Sequence, residues 1–154
     1  MAKDMHIEKS IIINTPKSEV FDFLKFIKNQ NQFSVWNMKD PNQKTTEQGT
    51  DGTVGYIYTW DSKDKNVGAG AQEIKAITPG EKIEYELRFE RPMKNTAQSK
   101  FIIESVSENQ TKVSWDFRGP TKFPMSLFKG LIAKMLGKDI AKSLENLKAK
   151  LEGK

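Results

Sequence analysis

Aromatic side chains are the residues of this sequence best suited to chemistry with a small molecule. Trp36, Tyr56, Tyr58, Trp60, Tyr85, Phe89, Phe101, Trp115 and Phe117 supply broad apolar faces. Their tyrosine hydroxyls and tryptophan indoles carry donors that need partners once buried. Together they suit a ligand cavity with apolar walls and a few orienting polar atoms. Part of the same set must also fill ordinary core.

Residues that could move protons or hold metals are sparse. His6 is the single histidine, so a site built on two or three imidazoles is excluded, and its place in a first strand marks it as a surface residue. Cysteine is absent, which removes disulfides, thiolate catalysis and cysteine-ligated metal centres together and fits a reducing compartment. Glu84, Glu86 and Glu90 alternate with Ile83, Tyr85, Leu87 and Phe89, the pattern of a solvated strand face rather than of paired catalytic carboxylates. Glu73 stands among Gly68, Gly70 and several alanines and could face a concavity. Gly68-Ala69-Gly70-Ala71 lacks the lysine and following helix of a phosphate loop. Small residues there relieve crowding where a bent strand passes under a helix or ligand. No catalytic residue, metal ligand or cofactor site follows from these patterns.

Composition narrows the class. A chain of 154 residues, 36% of them apolar, has the size of one domain with an adequate core, and residues 1–154 are expected to form it. The net charge of +5 arises from 25 basic residues interleaved with 20 acidic ones. The excess lies in lysine-rich stretches beyond Pro120, which read as a solvated helix face, so no nucleic-acid partner is expected. The N-terminal residues run into strand-like sequence without a signal-peptide pattern, and no run approaches the roughly 20 apolar residues that cross a bilayer. The expectation is a cytoplasmic protein without membrane insertion.

The elements that position the aromatic residues follow from periodicity. A first strand covers His6 to Asn14, with Ile7, Ile11 and Ile13 on one face. Thr15 as N-cap and Pro16 at the first helical position then start a helix carrying Val20, Phe21, Leu24 and Ile27. A second short helix is expected at Asn29 to Phe33, ending before Trp36. From Pro41 to Thr121 the pattern alternates: Val54, Tyr56, Tyr58 and Trp60; Ile83 to Phe89; Phe101 and Ile103; Val113, Trp115 and Phe117. Turn segments between these runs make a meander of about six antiparallel strands. One sheet face needs cover, and the only long element left is an amphipathic helix from Pro124 to Leu151.

Several local motifs carry a family resemblance. They are Ile11-Ile12-Ile13-Asn14-Thr15-Pro16 leading to Val20-Phe21-Asp22-Phe23, Trp36 after the helical pair, Gly52-Thr53-Val54-Gly55 opening the third strand, and the run from Ala76 to Tyr85 through Pro79-Gly80. With this order of elements, the chain resembles the START-like, or SRPBCC, superfamily, in its polyketide cyclase/dehydrase and lipid-transport branch. The resemblance implies an α+β helix-grip fold, a curved antiparallel sheet of about seven strands (β-α-α-β6-α) wrapped around the C-terminal helix. It also implies an apolar ligand between sheet and helix; some members are enzymes or protein-binding modules.

The helix itself divides in two. At about 100° per residue, Ser126, Gly130, Ala133, Gly137 and Ala141 form a stripe of small side chains, and Ile140, Leu144, Leu147 and Leu151 continue nearly the same side. The second half should anchor the helix, while the glycines of the first half either allow a close backbone approach, leave a gap above the sheet for a ligand, or make a hinge at Gly137. Phe128, Leu131, Ile132 and Met135 cluster on the opposite side of the first half. Either a bend at Gly137 turns them inward as ligand-contacting residues, or they form an outward apolar patch.

The leading functional expectation is noncatalytic binding or transport of a small hydrophobic or amphipathic ligand. The aromatic set and the Phe128, Leu131, Ile132 and Met135 cluster are its candidate contacts. The alternatives are a protein-interaction module using that cluster, and a cyclase- or dehydratase-like enzyme in which a tyrosine or Glu73 moves protons. A monomer or weak homodimer is expected.

Overall fold

The computed structural model describes residues 3–64, 67–91, 94–121 and 129–153. Strand β1 (Lys3–Ile13) leads into helix α1 (Lys17–Leu24), a 3-10 helix (Ile27–Gln32) and the short α2 (Val35–Lys39). Strands β2 (Lys44–Gln48), β3 (Ile57–Asp61), β4 (Ala69–Thr78), β5 (Lys82–Arg91), β6 (Asn95–Ser107) and β7 (Gln110–Thr121) follow, and α3 (Lys129–Glu152) closes the described chain. The strands form one antiparallel seven-stranded sheet in the order β1-β7-β6-β5-β4-β3-β2. The fold is α+β, with α3 against the concave face of a curved sheet. No helix among the described residues is long and apolar enough to cross a membrane.

Local boundaries depart from the sequence reading where tertiary contacts intervene. Thr15 does not cap α1; Pro16 takes the cap position, while the Thr15 carbonyl accepts a hydrogen bond from the buried Thr111 hydroxyl at 2.7 Å. Trp36 follows α1 and the 3-10 helix as expected, but it lies inside a further helical turn, α2, that the periodicity did not show. Val54 is not a strand residue. It sits exposed in the turn between Gly52 and Gly55, both at positive φ, where glycine avoids the clash of a Cβ. Strand β2 has no buried residue because it forms one edge of the sheet.

α3 is seated by its second half. Ile140, Leu144, Leu147 and Leu151 are buried and join Ile13, Phe101, Ile103, Val113 and Trp115 in one core. Each such burial is worth roughly 1.5–3 kcal/mol. The helix runs alongside β1: Gly137 packs on Ile7 and Lys9, where an added Cβ would lie 3.2 Å from Lys9 Cε. Further on, Lys148 Nζ donates to the Ile12 carbonyl at 2.9 Å and the Asn14 N–H donates to Glu152 at 2.7 Å. Residues 137 to 152 of a helix and 7 to 14 of a strand both span about 23 Å, so the two elements stay in step. On the other flank, the Val35 N–H donates to Ser143 Oγ at 3.0 Å and Asn146 Nδ2 to the Phe33 carbonyl at 3.1 Å, tying α2 to α3.

This seating predicts unequal costs along α3. Leu147→Ala should lower the unfolding free energy by about 2–5 kcal/mol, whereas the same change at exposed Leu131 should stay within about 0.5 kcal/mol. Urea unfolding of both variants measures the difference, and equal losses would refute the two-part helix.

Candidate ligand cavity between sheet and helix

The register of the sheet decides where space remains under α3. Across its middle, Phe101 faces Trp115, Ile103 faces Val113 and Ile83 faces Phe101, so large side chains fill the floor. Toward the other end the partners shrink. Tyr58 stands opposite Gln72, Gln72 opposite Leu87, Leu87 opposite Ala97, and Tyr85 and Phe117 both flank Ser99. Gly119 meets Ala97 so closely that a Cβ on it would lie 2.8 Å from the Ala97 methyl. Large residues seat the second half of α3, and small ones leave a cavity of about 360 Å³ under the first half.

Ile132, Leu136 and Ile140 roof this cavity. They are spaced i, i+4, i+8, and the row drifts about 40° per step round the helix until it joins Leu144 in the anchoring face. The buried face is therefore centred on Leu136 and Ile140, and α3 passes through Gly137 without a break. The small stripe lies to one flank, where Gly137 meets β1. Of the apolar cluster, Ile132 turns inward, whereas Leu131 and Met135 are 60% and 59% exposed and do not line the cavity. Phe128, and the helix start expected at Pro124, lie outside the described residues.

The aromatic candidates separate in the same way. Trp36, Tyr58, Trp60, Phe89, Trp115 and Phe117 line the cavity. Trp36 packs edge-on against Trp115 with ring centroids 6.0 Å apart, and the Trp115 indole is oriented by donating to Ser99 Oγ at 3.0 Å. Trp60 and Phe89 meet edge-on, also at 6.0 Å, above Gly70. Three candidates do not reach the space. Phe101 is fully buried against Trp115 in the filled part of the floor. Tyr56 is buried just before β3 and its hydroxyl donates to Glu47 at 3.1 Å, so burial first and then the nearby Asp51 and Glu47 charges raise its pKa. Tyr85 is buried beneath the lining, and burial raises its pKa as well.

Polar lining residues went unrecognised in the sequence. Gln30, Ser34, Gln72, Asn95 and Ser99 all reach the cavity. Gln30 Nε2, Ser34 Oγ and Asn95 Oδ1 are buried without a hydrogen-bond partner among the described residues. Asn95 spends its Nδ2 on the Pro120 carbonyl at 3.1 Å. Gln30 stands in a polar run with no periodicity to mark it, whereas Leu136, also missed, could have been found as the i−4 neighbour of Ile140.

Charge is segregated to the mouth and the opposite face. The charged lining residues are Arg91 and Lys94, and no carboxylate lines the cavity among the described residues. Arg91 pairs with Asp61 and donates to the Ser62 carbonyl at 3.0 Å. Glu73 does not face the concavity. It lies on the convex side, where Arg88 Nη1 donates to it at 2.9 Å and also reaches Glu86. That hydrogen bond is the main reason its carboxyl sits below the ordinary value. His6 is likewise on the convex side, half-exposed, with Nε2 2.6 Å from Asp116 Oδ2. Among the described residues no cluster of three His, Asp or Glu could hold a metal ion.

Gly70 supplies a direct test of this geometry. A Cβ there would lie 2.5 Å from the Arg88 carbonyl and 2.9 Å from the Trp60 ring. Gly70→Ala should push Trp60 off Phe89, red-shift the tryptophan emission and cost about 1–3 kcal/mol of stability. Unchanged emission and stability would show that Trp60 does not rest on this glycine.

Comparison with known proteins places this architecture. The family model described as polyketide cyclase/dehydrase and lipid transport matches residues 4–152. A protein from Chromobacterium violaceum has a structure similar at a TM-score of 0.66, with 16% identity over 96% of both chains. Norcoclaurine synthase from Thalictrum flavum, solved in complex with dopamine and hydroxybenzaldehyde, is similar at 0.72 with 8% identity, over 97% of this chain and 88% of that one. The Aha1 dimer from Colwellia psychrerythraea is similar at 0.64 with 15% identity over 96% of both chains. No individual curated sequence matches. Identities this low carry the fold alone, but the family match spans nearly the whole sequence, and the chain belongs to the polyketide cyclase/dehydrase and lipid-transport family of the SRPBCC superfamily.

Proposed function

We propose that this chain binds and carries a small hydrophobic or amphipathic molecule, lipid-, sterol- or polyketide-like, in the cytoplasm and without catalysing a reaction on it. The observation that carries this reading is the apolar-walled space of about 360 Å³ between α3 and the small-residue floor. That volume falls in the lower part of the roughly 300–1,000 Å³ range of small-molecule sites. Membership of a family whose description includes lipid transport supports it.

The enzymatic alternative draws on the likeness to norcoclaurine synthase. In this chain, proton transfer inside the cavity would fall to Tyr58 or Lys94, because the described lining holds neither carboxylate nor imidazole. A second binding reading has its own support: Leu131 and Met135 present large apolar side chains to solvent on the outer side of α3, as a self-association surface would.

Native mass spectrometry of freshly purified protein separates these readings. The carrier reading predicts a monomer with a co-purifying apolar molecule, recoverable by solvent extraction and lost when Leu136→Trp fills the space under the helix. A ligand-free dimer that persists in Leu136→Trp would instead favour the outer face. Ligand-free monomer in every preparation would contradict both.

A further inference from the structure

The inner end of the cavity contains polar atoms that the fold itself does not use. Gln30 and Ser34 are 4% and 1% exposed, and both belong to the lining. They sit one helical turn apart, the Ser34 N–H donating to the Gln30 carbonyl at 2.8 Å. Ser34 precedes α2 without capping it with its side chain, so its hydroxyl is not spent on the backbone. The Gln30 carboxamide stands beside the Tyr85 hydroxyl and offsets a little of the burial that raises that phenol's pKa. The two groups nevertheless do not meet in hydrogen-bond geometry, and Gln30 Nε2 and Ser34 Oγ both stay open.

Native structures rarely leave such groups unpaired, because each has lost its water without gaining a partner. An amide N–H donates, and a hydroxyl can donate or accept, so the pair matches one acceptor oxygen or one hydroxyl. The charge layout restricts that oxygen further. Arg91 and Lys94, the cations of the lining, belong to the exposed mouth at the β5–β6 connection. Tyr85, beside Gln30, precedes Arg91 by about 20 Å of strand. A carboxylate buried at the inner end would lie far from both cations and would be costly to desolvate. The surrounding Trp36 and Trp115 rings suit a flat or branched apolar body.

We propose that Gln30 and Ser34 form the polar subsite of this cavity and select an apolar ligand bearing a neutral oxygen, a ketone or ester carbonyl or an alcohol, at its buried end. This rests on the reading that the cavity is a ligand site.

The test uses the full chain labelled with ¹⁵N and two probes of matched size, 2-acetonaphthone and 2-ethylnaphthalene, which differ in the carbonyl oxygen. Both should enter the cavity and shift the Trp36 and Trp115 indole N–H signals. Only the ketone should move the Gln30 side-chain amide pair, and it should bind about 10-fold more tightly, as one additional hydrogen bond implies. Gln30→Met and Ser34→Ala should each bring the ketone down toward the affinity of the hydrocarbon, with the sheet amide signals reporting that each variant is folded. Equal binding of the two probes to the wild type, with the Gln30 amide unmoved, overturns the subsite and leaves the cavity reading standing. Failure of both probes to shift either indole overturns the cavity reading and the subsite with it.

Discussion

The seating of α3 by Ile140, Leu144, Leu147 and Leu151 is the constraint on which the rest of this structure depends. A helix is stiff over 24 residues, so the height at which its second half rests on Phe101, Ile103, Val113 and Trp115 sets the height of its first half as well. Beneath that first half the floor steps down to Ala97, Ser99 and Gly119. The gap is thus a consequence of two side-chain sizes on one sheet. It is not a small cost: a dry, closed void of about 360 Å³ would destabilise the protein by roughly 9 kcal/mol at about 24 cal/mol per Å³, comparable with the whole stability of a typical domain. The space is therefore wetted or occupied, and the unpaired atoms of Gln30, Ser34 and Asn95 are where water or a ligand gains hydrogen bonds.

The two faces of the sheet divide the chemistry between them. On the convex side, Arg88 pairs with both Glu73 and Glu86, Lys75 pairs with Glu73, and His6 pairs with Asp116. On the concave side, rings and neutral polar groups surround the cavity and cations stand at its mouth. Strand alternation produces this division directly, since neighbouring residues point to opposite faces. A cavity so lined can hold and orient a molecule.

The fold was legible in the sequence because it rests on periodicity. The alternation of Ile83, Tyr85, Leu87 and Phe89, and the spacing of Ile140, Leu144, Leu147 and Leu151, are strong and local. The cavity was legible only in part. Alternation assigns a residue to a face but not to a position along it, so Phe101 and Tyr85 were grouped with Trp115 and Phe117 although they lie beneath the lining. Gly137 is small because β1 approaches it, the close approach that an interior glycine suggests, so the helical wheel is not centred on the small residues. A centre near Leu136 puts Ile132 inside and leaves Leu131 and Met135 outside without any bend. Gln30 and Ser34 carried no pattern at all, since their importance comes from losing solvent in the assembled tertiary structure.

The central claim is that an apolar molecule occupies the space beneath the first half of α3. Isotope-filtered NOE spectra of methyl-labelled protein saturated with naphthalene measure this most directly. Contacts from the probe to Ile132, Leu136, Ile140 and Leu87 methyls, with none to Leu131, are the predicted result. Contacts confined to Leu131, or an absence of contacts at saturating probe, would contradict it.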